Sequence, residues 1–413
     1  MPNPAASLFK QLAYKLEGTF GTAPGQASGQ LLRRVQSTID LSKDTYESNE
    51  KRPDFQRADF RHGVRRVSGK ISGELSAGTY KDFFAMGLKR LFTAGVSAAS
   101  VSVTIAGSGP TYTITRAAGS YLTDGFKTGR IVRMSVGALN ANNINKNLFV
   151  VDLTAAVMTV IVPNGTVMTA EGPITGTTVA EIGKVTFVPT TGHTDTSMAI
   201  EHYYADLVQS ELFLGCKVDK ITMNLPPTGM ATVDFDILGQ DLADTTAKRG
   251  GVATTAQYFT AATAVTTTGV EAAVNGVIRV GGVTLATITG MTVELDPAYG
   301  GDPVVGSNMV PFLFPGVFKA SGQLTAYFDA VTLRDVFVNE TEVDVLAVFT
   351  ADNTATADFV AISLPRVKLG GANKDDPDTG IKQTIPYTAL LNVLGGTGVK
   401  SEKTTFCIQD AQA

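Results

Sequence analysis

The sequence predicts a mainly β protein in which one domain occurs twice and the first copy carries an inserted β domain. Three observations predict this: short blocks that recur in the same order, strict alternation of polar and apolar residues in two of them, and a composition poor in charge. Of 413 residues, 44% are hydrophobic, 17% are charged and 42 are Gly. This length is sufficient for about two to four domains with buried cores.

The clearest repeat relates residues 63–72 to residues 316–325, 253 positions later (63 to 316). The matches occur in the same order in both halves of the chain, but the spacing between matched residues is smaller for the later matches. This pattern indicates two copies of one domain, the first with an insertion of about a hundred residues. Chance similarity between β-rich segments is the alternative. The other matches, in chain order, are 38–41 with 292–295, 79–84 with 332–337, 221–226 with 360–365, and 232–235 with 384–387.

Each copy contains a predicted strand with one solvated face. Val67 and Ile71 alternate with polar residues in the first copy, and Ala320, Leu324 and Ala326 do so in the second. The alternation has the same phase in the two matched segments. Because a slip of one residue would exchange the two faces of a strand, this agreement indicates one covered and one solvated face in both copies. The polar sides comprise Arg66, Ser68, Lys70, Ser72 and Glu74 in the first strand, and Lys319, Ser321, Gln323, Thr325 and Tyr327 in the second.

A helix is predicted after each strand. Thr79 can cap the first helix, in which Phe84, Leu88 and Leu91 fall on one stripe. The second helix is expected near 332–339 and is shorter.

The inserted domain is indicated by a change of composition to Gly, Thr, Val and Asn before residue 196. Short predicted strands at 130–135, 148–153 and 158–162 alternate there with turn residues. We expect a small β-barrel or sandwich with almost no helix. The predicted domains are the first copy at 1–98 and 192–245, the insertion at 99–191, an Ala/Thr-rich linker at 246–275, and the second copy at 276–413.

The most highly charged segment is 43–62, in which half of the residues are charged and aromatic residues are interleaved. Long loops inside compact domains are usually functional or disordered. The aromatic residues favour a docking loop over a merely solvated one. Its candidate contact residues are Lys43, Tyr46, Glu47, Glu50, Arg52, Phe55, Arg57 and Phe60.

Arrangements typical of catalysis or metal binding are not evident. The three histidines, His62, His193 and His202, lie in separate segments without the spacing of metal ligands. The acidic turn at 376–380 begins like a calcium loop but lacks the closing Glu, and the glycine-rich segment at 395–401 departs from the spacing of a phosphate loop. We therefore expect a non-enzymatic protein without cofactor or metal.

Charge and cysteine content narrow the cellular setting. The net charge of −4 argues against a basic surface that grips nucleic acid. Two isolated cysteines, Cys216 and Cys407, indicate a reducing compartment. The first residues do not read as a signal peptide, and the best apolar run, 157–162, is too short to span a bilayer. We expect synthesis in a cytoplasm and no membrane partner.

A further set of motifs comprises Gly21–Pro24, Leu32–Glu50, Asp59–Gly63, Ser68–Gly69, Gly73–Ser76, the stretch from Gly306–Asn308 through Phe314–Gly316, Leu333–Asp335, Pro365–Gly371 and Ile385–Tyr387. These motifs resemble the major tail tube protein of long-tailed, siphovirus-like bacteriophages. The resemblance covers both copies and is most specific in the first eighty or so residues. The insertion, around 119–126, resembles small β domains that decorate several phage tail proteins.

The resemblance implies a structural virion protein whose subunits form rings that stack into a tube for DNA delivery. Each copy would be a tail-tube-like β-sandwich or half-barrel with one helix, the insertion would decorate the outside, and segment 43–62 would dock onto the next ring. A doubled chain would form a pseudo-sixfold ring from three chains, with hexameric rings as the alternative. The lumen-lining candidates are Arg66, Ser68, Lys70, Ser72, Glu74, Lys319, Ser321, Gln323 and Thr325.

The implied partners are other copies of the chain, a tape measure protein inside the tube, tail terminator and distal tail proteins at its ends, and phage DNA in transient, non-specific contact. The protein would reside in the tail of the virion and be made in the cytoplasm of the bacterial host. Two other functions remain open. A minor tail component, such as a tube-end or adaptor protein, would share the fold, and a carbohydrate-binding tail spike would share the β-rich composition.

Overall fold

The computed structural model of the protein describes residues 4–163, 165–284, 287–328, 332–375 and 380–413. Strands dominate and the helices are short, which confirms the mainly β class. The acidic turn that begins like a calcium loop lies outside the described residues at 376–379. In the part of the chain that is described, every helix is too short or too polar to cross a membrane.

The chain begins with a 3₁₀ turn at Ser7–Phe9, and helix α1 spans Lys81–Gly87. The strands around them are β1 (Lys10–Leu16), β2 (Gln30–Leu31), β3 (Gln36–Ser37), β4 (Asp40–Glu47), β5 (Phe60–Glu74) and β6 (Thr93–Ala94).

The inserted domain is a closed barrel of six antiparallel strands, so the barrel alternative is confirmed over the sandwich. Its neighbour order is β10–β11–β8–β7–β12–β9, with β9 paired back to β10. Closure leaves no free sheet edge. One short helix, α2 (Tyr121–Asp124), lies beside the strands. These are β7 (Ser97–Ser108), β8 (Thr111–Arg116), β9 (Ile131–Ser135), β10 (Leu148–Leu153), β11 (Val157–Ile161) and β12 (Glu171–Glu181).

After the barrel the chain returns to the main sheet. A second 3₁₀ turn occupies Ala273–Asn275, and helix α3 spans Thr332–Val338, close to its predicted position. The strands are β13 (Lys184–Phe187), β14 (Met198–Tyr204), β15 (Gln209–Leu225), β16 (Thr232–Gly239), β17 (Asp241–Leu242), β18 (Val277–Val280), β19 (Val283–Thr284), β20 (Ile288–Asp296), β21 (Lys319–Tyr327), β22 (Val343–Thr350), β23 (Phe359–Leu369), β24 (Asn373–Lys374), β25 (Lys382–Ala389) and β26 (Cys407–Asp410).

Two runs of these strands follow the same neighbour order. The first run, from 10 to 242 without the barrel, is ordered β4–β5–β16–β15–β14–β1, and the second run, from 277 to 410, is ordered β20–β21–β25–β23–β22–β18. The first hairpins also agree in register. Asp40 lies opposite Ser68, and Glu294 lies opposite Ser321.

Close approach of the backbones explains one glycine in each of these hairpins. A Cβ atom on Gly69 would collide with the main-chain oxygen of Thr38, and one on Gly322 would collide with that of Thr292. Only glycine fits such an approach. The two glycines are related by the spacing of 253 residues (69 to 322), so this sequence match agrees with the three-dimensional register.

The later sequence matches do not agree with the register. Asp234 pairs with Ser72, and Thr384 pairs with Thr325, so strand pairing relates Asp234 to Thr384 rather than to Pro386. The match of 221–226 with 360–365 relates two strands that do correspond, β15 and β23, but it aligns residues that do not occupy the same position along them. Residue 360 lies near the start of β23 and pairs with β22, whereas residue 221 lies in the second half of β15 and pairs with β16. Short apolar blocks match at several offsets, which explains the error.

The two runs join in one sheet because β15 pairs with β20 as well as with β16. The resulting order is β4–β5–β16–β15–β20–β21–β25–β24. One face of this sheet forms the main core. A buried row crosses it from β5 to β21 through Ile71, Phe235, Ile221, Leu295 and Ala320.

Helix α1 covers this buried face, although it lacks the expected cap. The rings of Phe84 and Phe235 meet edge to face at 5.5 Å. The residue before the helix is Tyr80, and Thr79 instead forms hydroxyl hydrogen bonds with Ser76 and Thr266. Leu88 is buried but Leu91 is half exposed, because the helix ends at Gly87.

The Ala/Thr-rich segment at 246–275 is packed against the first run. Tyr258 and Phe259 are buried, and their main-chain N–H groups donate to the buried carboxylate of Glu201 at 2.5 and 3.0 Å. Arg249 is fully buried and donates to the hydroxyl of Ser210 at 2.9 Å. This connecting segment is therefore held in place by a buried polar network.

The barrel packs against the second run through an apolar interface. Phe149 and Ile161 of the barrel cluster with Leu346, Val348 and Phe359 of β22 and β23. The barrel strands end at residue 181, and the next strand, β13, pairs with β6 and β26 of the main sheet. The expected boundary at 191 thus includes one strand of the main sheet.

Candidate assembly surfaces

The solvated face of the sheet brings the sequence-predicted lumen candidates of both runs together. Ser72, Asp234, Thr222, Glu294 and Ser321 form one row of directly opposed residues from β5 to β21. Opposed residues of antiparallel strands share a face. The row therefore places on one side of the sheet Arg66, Ser68, Lys70, Ser72 and Glu74 of β5 together with Lys319, Ser321, Gln323 and Thr325 of β21.

Two lysines on this face, Lys70 and Lys220, are paired with carboxylates. The ammonium nitrogen of Lys70 lies 3.5 Å from Asp234 and 3.6 Å from Asp236. That of Lys220 lies 3.0 Å from Glu294, and this hydrogen bond raises the pKa of Lys220. Exposed pairs contribute little to stability. Their main effect is to leave the face with mixed, locally neutral charge.

Sequence reasoning missed the contributions of β15 and β20 to this face. Lys220, Thr222 and Glu294 come from strands whose adjacency joins the two runs. Residues 222 and 294 are far apart in the chain, and no local pattern reports that they pair. The alternation of polar and apolar residues within β15 and within β20 was the available local signal.

The sheet ends at two strands that could accept further partners. Within the described residues, β4 pairs with β5 alone and β24 pairs with β25 alone. Unpaired main-chain groups at a sheet edge are templates for pairing with another chain.

The charged segment 43–62 is a projecting hairpin rather than a long loop. Strands β4 and β5 remain paired out to Glu47 and Phe60, so only residues 48–59 form the connection. The dense charges had obscured the strand pattern. The candidate docking residues divide between the strands, with Lys43, Tyr46, Glu47 and Phe60, and the connection, with Glu50, Arg52, Phe55 and Arg57.

The tip of this hairpin presents an aromatic side chain among paired charges. Phe55 is 98% exposed. Arg57 pairs with Glu47, and Arg52 pairs with Asp54 at 3.1 Å, a hydrogen bond that lowers the pKa of Asp54. Burial of a Phe side chain stabilises a contact by about 1.5–3 kcal/mol, so Phe55 is the tip residue that gains most from docking.

A second exposed aromatic group lies at the same end of the sheet. The connection from β20 to β21 carries Phe312 and Phe314, which are more than half exposed and whose ring centres are 6.1 Å apart. The same connection braces the hairpin stem, because Val310 packs against Val64 and the main-chain N–H of Arg65 donates to Asn308. The sequence analysis named parts of this loop among the motifs of the family resemblance, but it did not predict an exposed aromatic pair there.

The histidines and cysteines of the described structure lie in different parts of the fold. In the described part of the chain, no group of three or more His, Cys, Asp or Glu side chains is placed to hold a metal ion. His202 is buried on β14, and burial lowers its pKa to about 3. Cys216 and Cys407 are buried free thiols, and burial raises the pKa of both.

A comparison with protein families places these surfaces in context. The sequence matches the family model of the phage tail tube protein over residues 10–389. The chain belongs to the phage tail tube protein family. The match extends from β1 to β25, so it includes the first run, the barrel and the second run up to residue 389. None of the curated proteins compared with the chain matches it. Membership of this family supports a structural role in the tail of a phage virion.

Proposed function

We propose that this tail tube protein forms closed rings of three chains, that the rings stack into the tube of a siphovirus-like phage, and that the tube conducts DNA to the host. The observation that carries the proposal is the amphipathic sheet shared by the two runs. A strand order that is solvated on one face and open at both edges is suited to become part of a larger closed barrel.

Duplication of one tube domain accounts for the two runs. Their common neighbour order and the common register of their first hairpins support it. Because β15 pairs with β20, the two copies lie side by side in one sheet rather than one above the other. Three such chains would supply six domains, and a covalent link between neighbours reduces the entropic cost of closing a ring.

The junction between the runs is also a template for the contact between chains. Strand β20 corresponds to β4, and the end of β15 corresponds to β24, through their matching partners. On this template β24 of one chain pairs with β4 of the next. Asn373 then corresponds to Thr222, and Asp40 corresponds to Glu294. The pair Thr222 and Glu294 within one chain therefore predicts that Asn373 of one chain lies opposite Asp40 of the next.

In this arrangement the solvated face lines the lumen. Lys70 is paired with Asp234 on this face, and Lys220 is paired with Glu294. Affinity for DNA depends on cations that neutralise phosphates. A lining without a continuous row of free cations would let DNA slide past with only transient, non-specific contact.

The remaining partners follow from the tube itself. A tape measure protein would occupy the lumen before ejection, and tail terminator and distal tail proteins would cover the two ends. The barrel would lie on the outer side, and synthesis would take place in the host cytoplasm. The protein would act without catalysis.

Electron microscopy of the purified protein tests this function. Long tubes of uniform diameter are expected on concentration. Single rings that never elongate would instead assign the chain to a tube-end or adaptor component of the tail. Monomers under all conditions would contradict both assignments.

A further inference from the structure

A large groove lies at the end of the sheet opposite the hairpin tip. It has a volume of about 920 Å³ and is formed by the start of the chain, the segment 31–37 and the end of β5, with Leu8, Val35, Glu74 and Tyr80 among its walls. Strand β5 has 15 residues and so spans about 50 Å. The tip adjoins the first residue of this strand, Phe60, and the groove lies at its last residue, Glu74.

The groove combines an apolar rim with an excess of positive charge, because its walls carry three cations, Lys10, Arg33 and Arg34, and one carboxylate, Glu74. Leu8 is 95% exposed and Val35 is 66% exposed. Lys10, Arg33 and Arg34 each donate to main-chain carbonyl oxygens, of Ser37, Thr268 and Lys10 respectively, at 2.5 to 3.1 Å. Burial, with the nearby Arg34 charge, lowers the pKa of Lys10. In the described structure none of the three cations has a carboxylate partner.

The hairpin tip carries the complementary groups. Phe55 projects into solvent, and Glu50 is exposed and, among the described residues, forms no ion pair. The neighbouring carboxylates of Glu47 and Asp54 are already paired with Arg57 and Arg52. Glu50 is therefore the tip carboxylate that remains available to a cationic surface.

We propose that the groove receives the hairpin tip of a second copy of this chain in the adjacent ring, with Phe55 against Leu8 and Val35 and with Glu50 facing Lys10. The inference rests on the proposed stacking of rings and names the surface that receives the tip. Contact between two unlike surfaces is heterologous, and because these two surfaces lie at opposite ends of the sheet, each contact adds the next copy in the same direction. Repetition of this contact produces an open filament, which is the geometry of a tube.

Disulfide trapping tests the contact. Chains with Phe55→Cys and Val35→Cys in the same polypeptide are assembled and oxidised, and the native thiols do not interfere because both are buried. A ladder of covalent multimers is expected in the tubes. The matched control combines Phe55→Cys with Val136→Cys on the barrel, where Val136 is 63% exposed, and it should give no ladder. Tubes that form without a ladder at positions 55 and 35 would overturn the inference and leave the proposed function standing.

Charge reversal provides a second test if the cysteine variant does not assemble. Glu50→Lys should raise the concentration needed for tubes by about fivefold, the upper range for an exposed ion pair. Lys51→Glu changes the adjacent exposed residue in the opposite direction and should lower it or leave it unchanged. Equal effects of the two substitutions, in either direction, would contradict docking in a cationic groove. Failure of the unmodified chain to form tubes would contradict the proposed function itself.

Discussion

Thr222 on β15 lies directly opposite Glu294 on β20, and this pair joins two runs of strands that the chain otherwise separates. Both residues belong to the solvated face, while their neighbours Ile221 and Leu295 belong to the core. A single register thus aligns the two faces of both runs. The same register, transferred to the free edges, specifies how one chain can meet the next.

The first prediction concerns this contact between chains. Asp40→Cys combined with Asn373→Cys should form disulfides between different chains within isolated rings. The positive control, Thr222→Cys with Glu294→Cys, should form the corresponding disulfide within one chain, because these residues are directly opposed. Gel electrophoresis of oxidised rings distinguishes covalent trimers from monomers. If the control variant forms its disulfide within one chain while the test variant forms no disulfide between chains, pairing between β4 and β24 in this register is excluded.

The second prediction concerns the hairpin tip. Replacement of residues 48–59 by a two-residue Asn-Gly turn should preserve the strand pairing of Glu47 with Phe60. Rings should persist with an unchanged circular dichroism spectrum, while long tubes should be lost because Phe55 and Glu50 are removed. Tubes of unchanged length and stability would show that the tip is only a solvated projection.

The third prediction concerns the inserted barrel. Replacement of residues 97–181 by a short Gly/Ser linker keeps β13 in the main sheet but exposes Leu346, Val348 and Phe359. Loss of this interface should lower the midpoint of thermal unfolding and cause aggregation. Additional substitution of Leu346 and Phe359 by Thr should restore solubility and assembly. The second run has the same strand order as the first without an inserted barrel, so we expect the main sheet to form without it.

The position of β13 supplies the control for that experiment. Excision of residues 99–191 also removes Lys184–Phe187, which pair with β6 and β26. This longer excision should fail to fold even with the Thr substitutions. A soluble, folded form of the shorter excision that makes no tubes would show that the barrel takes part in assembly.

The fourth prediction concerns Glu271, a fully buried carboxyl whose two oxygens have no hydrogen-bond partner among the described residues. Burial, and then the charge of Asp410, raises the pKa of Glu271 to about 10. Because this value exceeds that of the unfolded chain, the folded state retains a proton that the unfolded state has lost. The contribution of Glu271 to the free energy of unfolding therefore declines as the pH rises from about 4.5 to about 10.

Glu271→Gln should remove this pH dependence. The variant should be more stable than the unmodified chain at pH 7 by about 3 kcal/mol and nearly equal to it below pH 4.5. Urea unfolding at several pH values measures the difference. Glu340→Gln, at an exposed position, should leave the profile unchanged. A profile for Glu271→Gln that parallels that of the unmodified chain would mean that Glu271 is already ionised.

Local patterns were sufficient to predict one strand of the main sheet in each run and the helix that follows it. The alternation around Ile71 and Leu324 identified two strands and the correct solvated faces, because side-chain direction has a period of two. The spacing that relates Gly69 to Gly322 agrees with the strand register. At both positions the main chain of the neighbouring strand comes so close that only glycine fits. Strand identity and phase are thus properties of short segments.

Features that depend on distant residues could not be predicted. The pairing of Thr222 with Glu294, the packing of Phe149 on Phe359 and the burial of Glu271 each join segments that are far apart in the chain. The hairpin stem at 43–47 was interpreted as a loop because its charged residues do not favour a strand, although β5 pairs with it. Tertiary pairing overrides local propensity at this position.

Three-dimensional reconstruction of assembled tubes tests the central proposal most directly. The expected density shows three chains per ring, with the eight strands from β4 to β24 of each chain following one another around the lumen. The barrel should then appear at three positions around the circumference. Six complete chains per ring, or the two runs of one chain stacked along the tube axis, would contradict the trimeric ring.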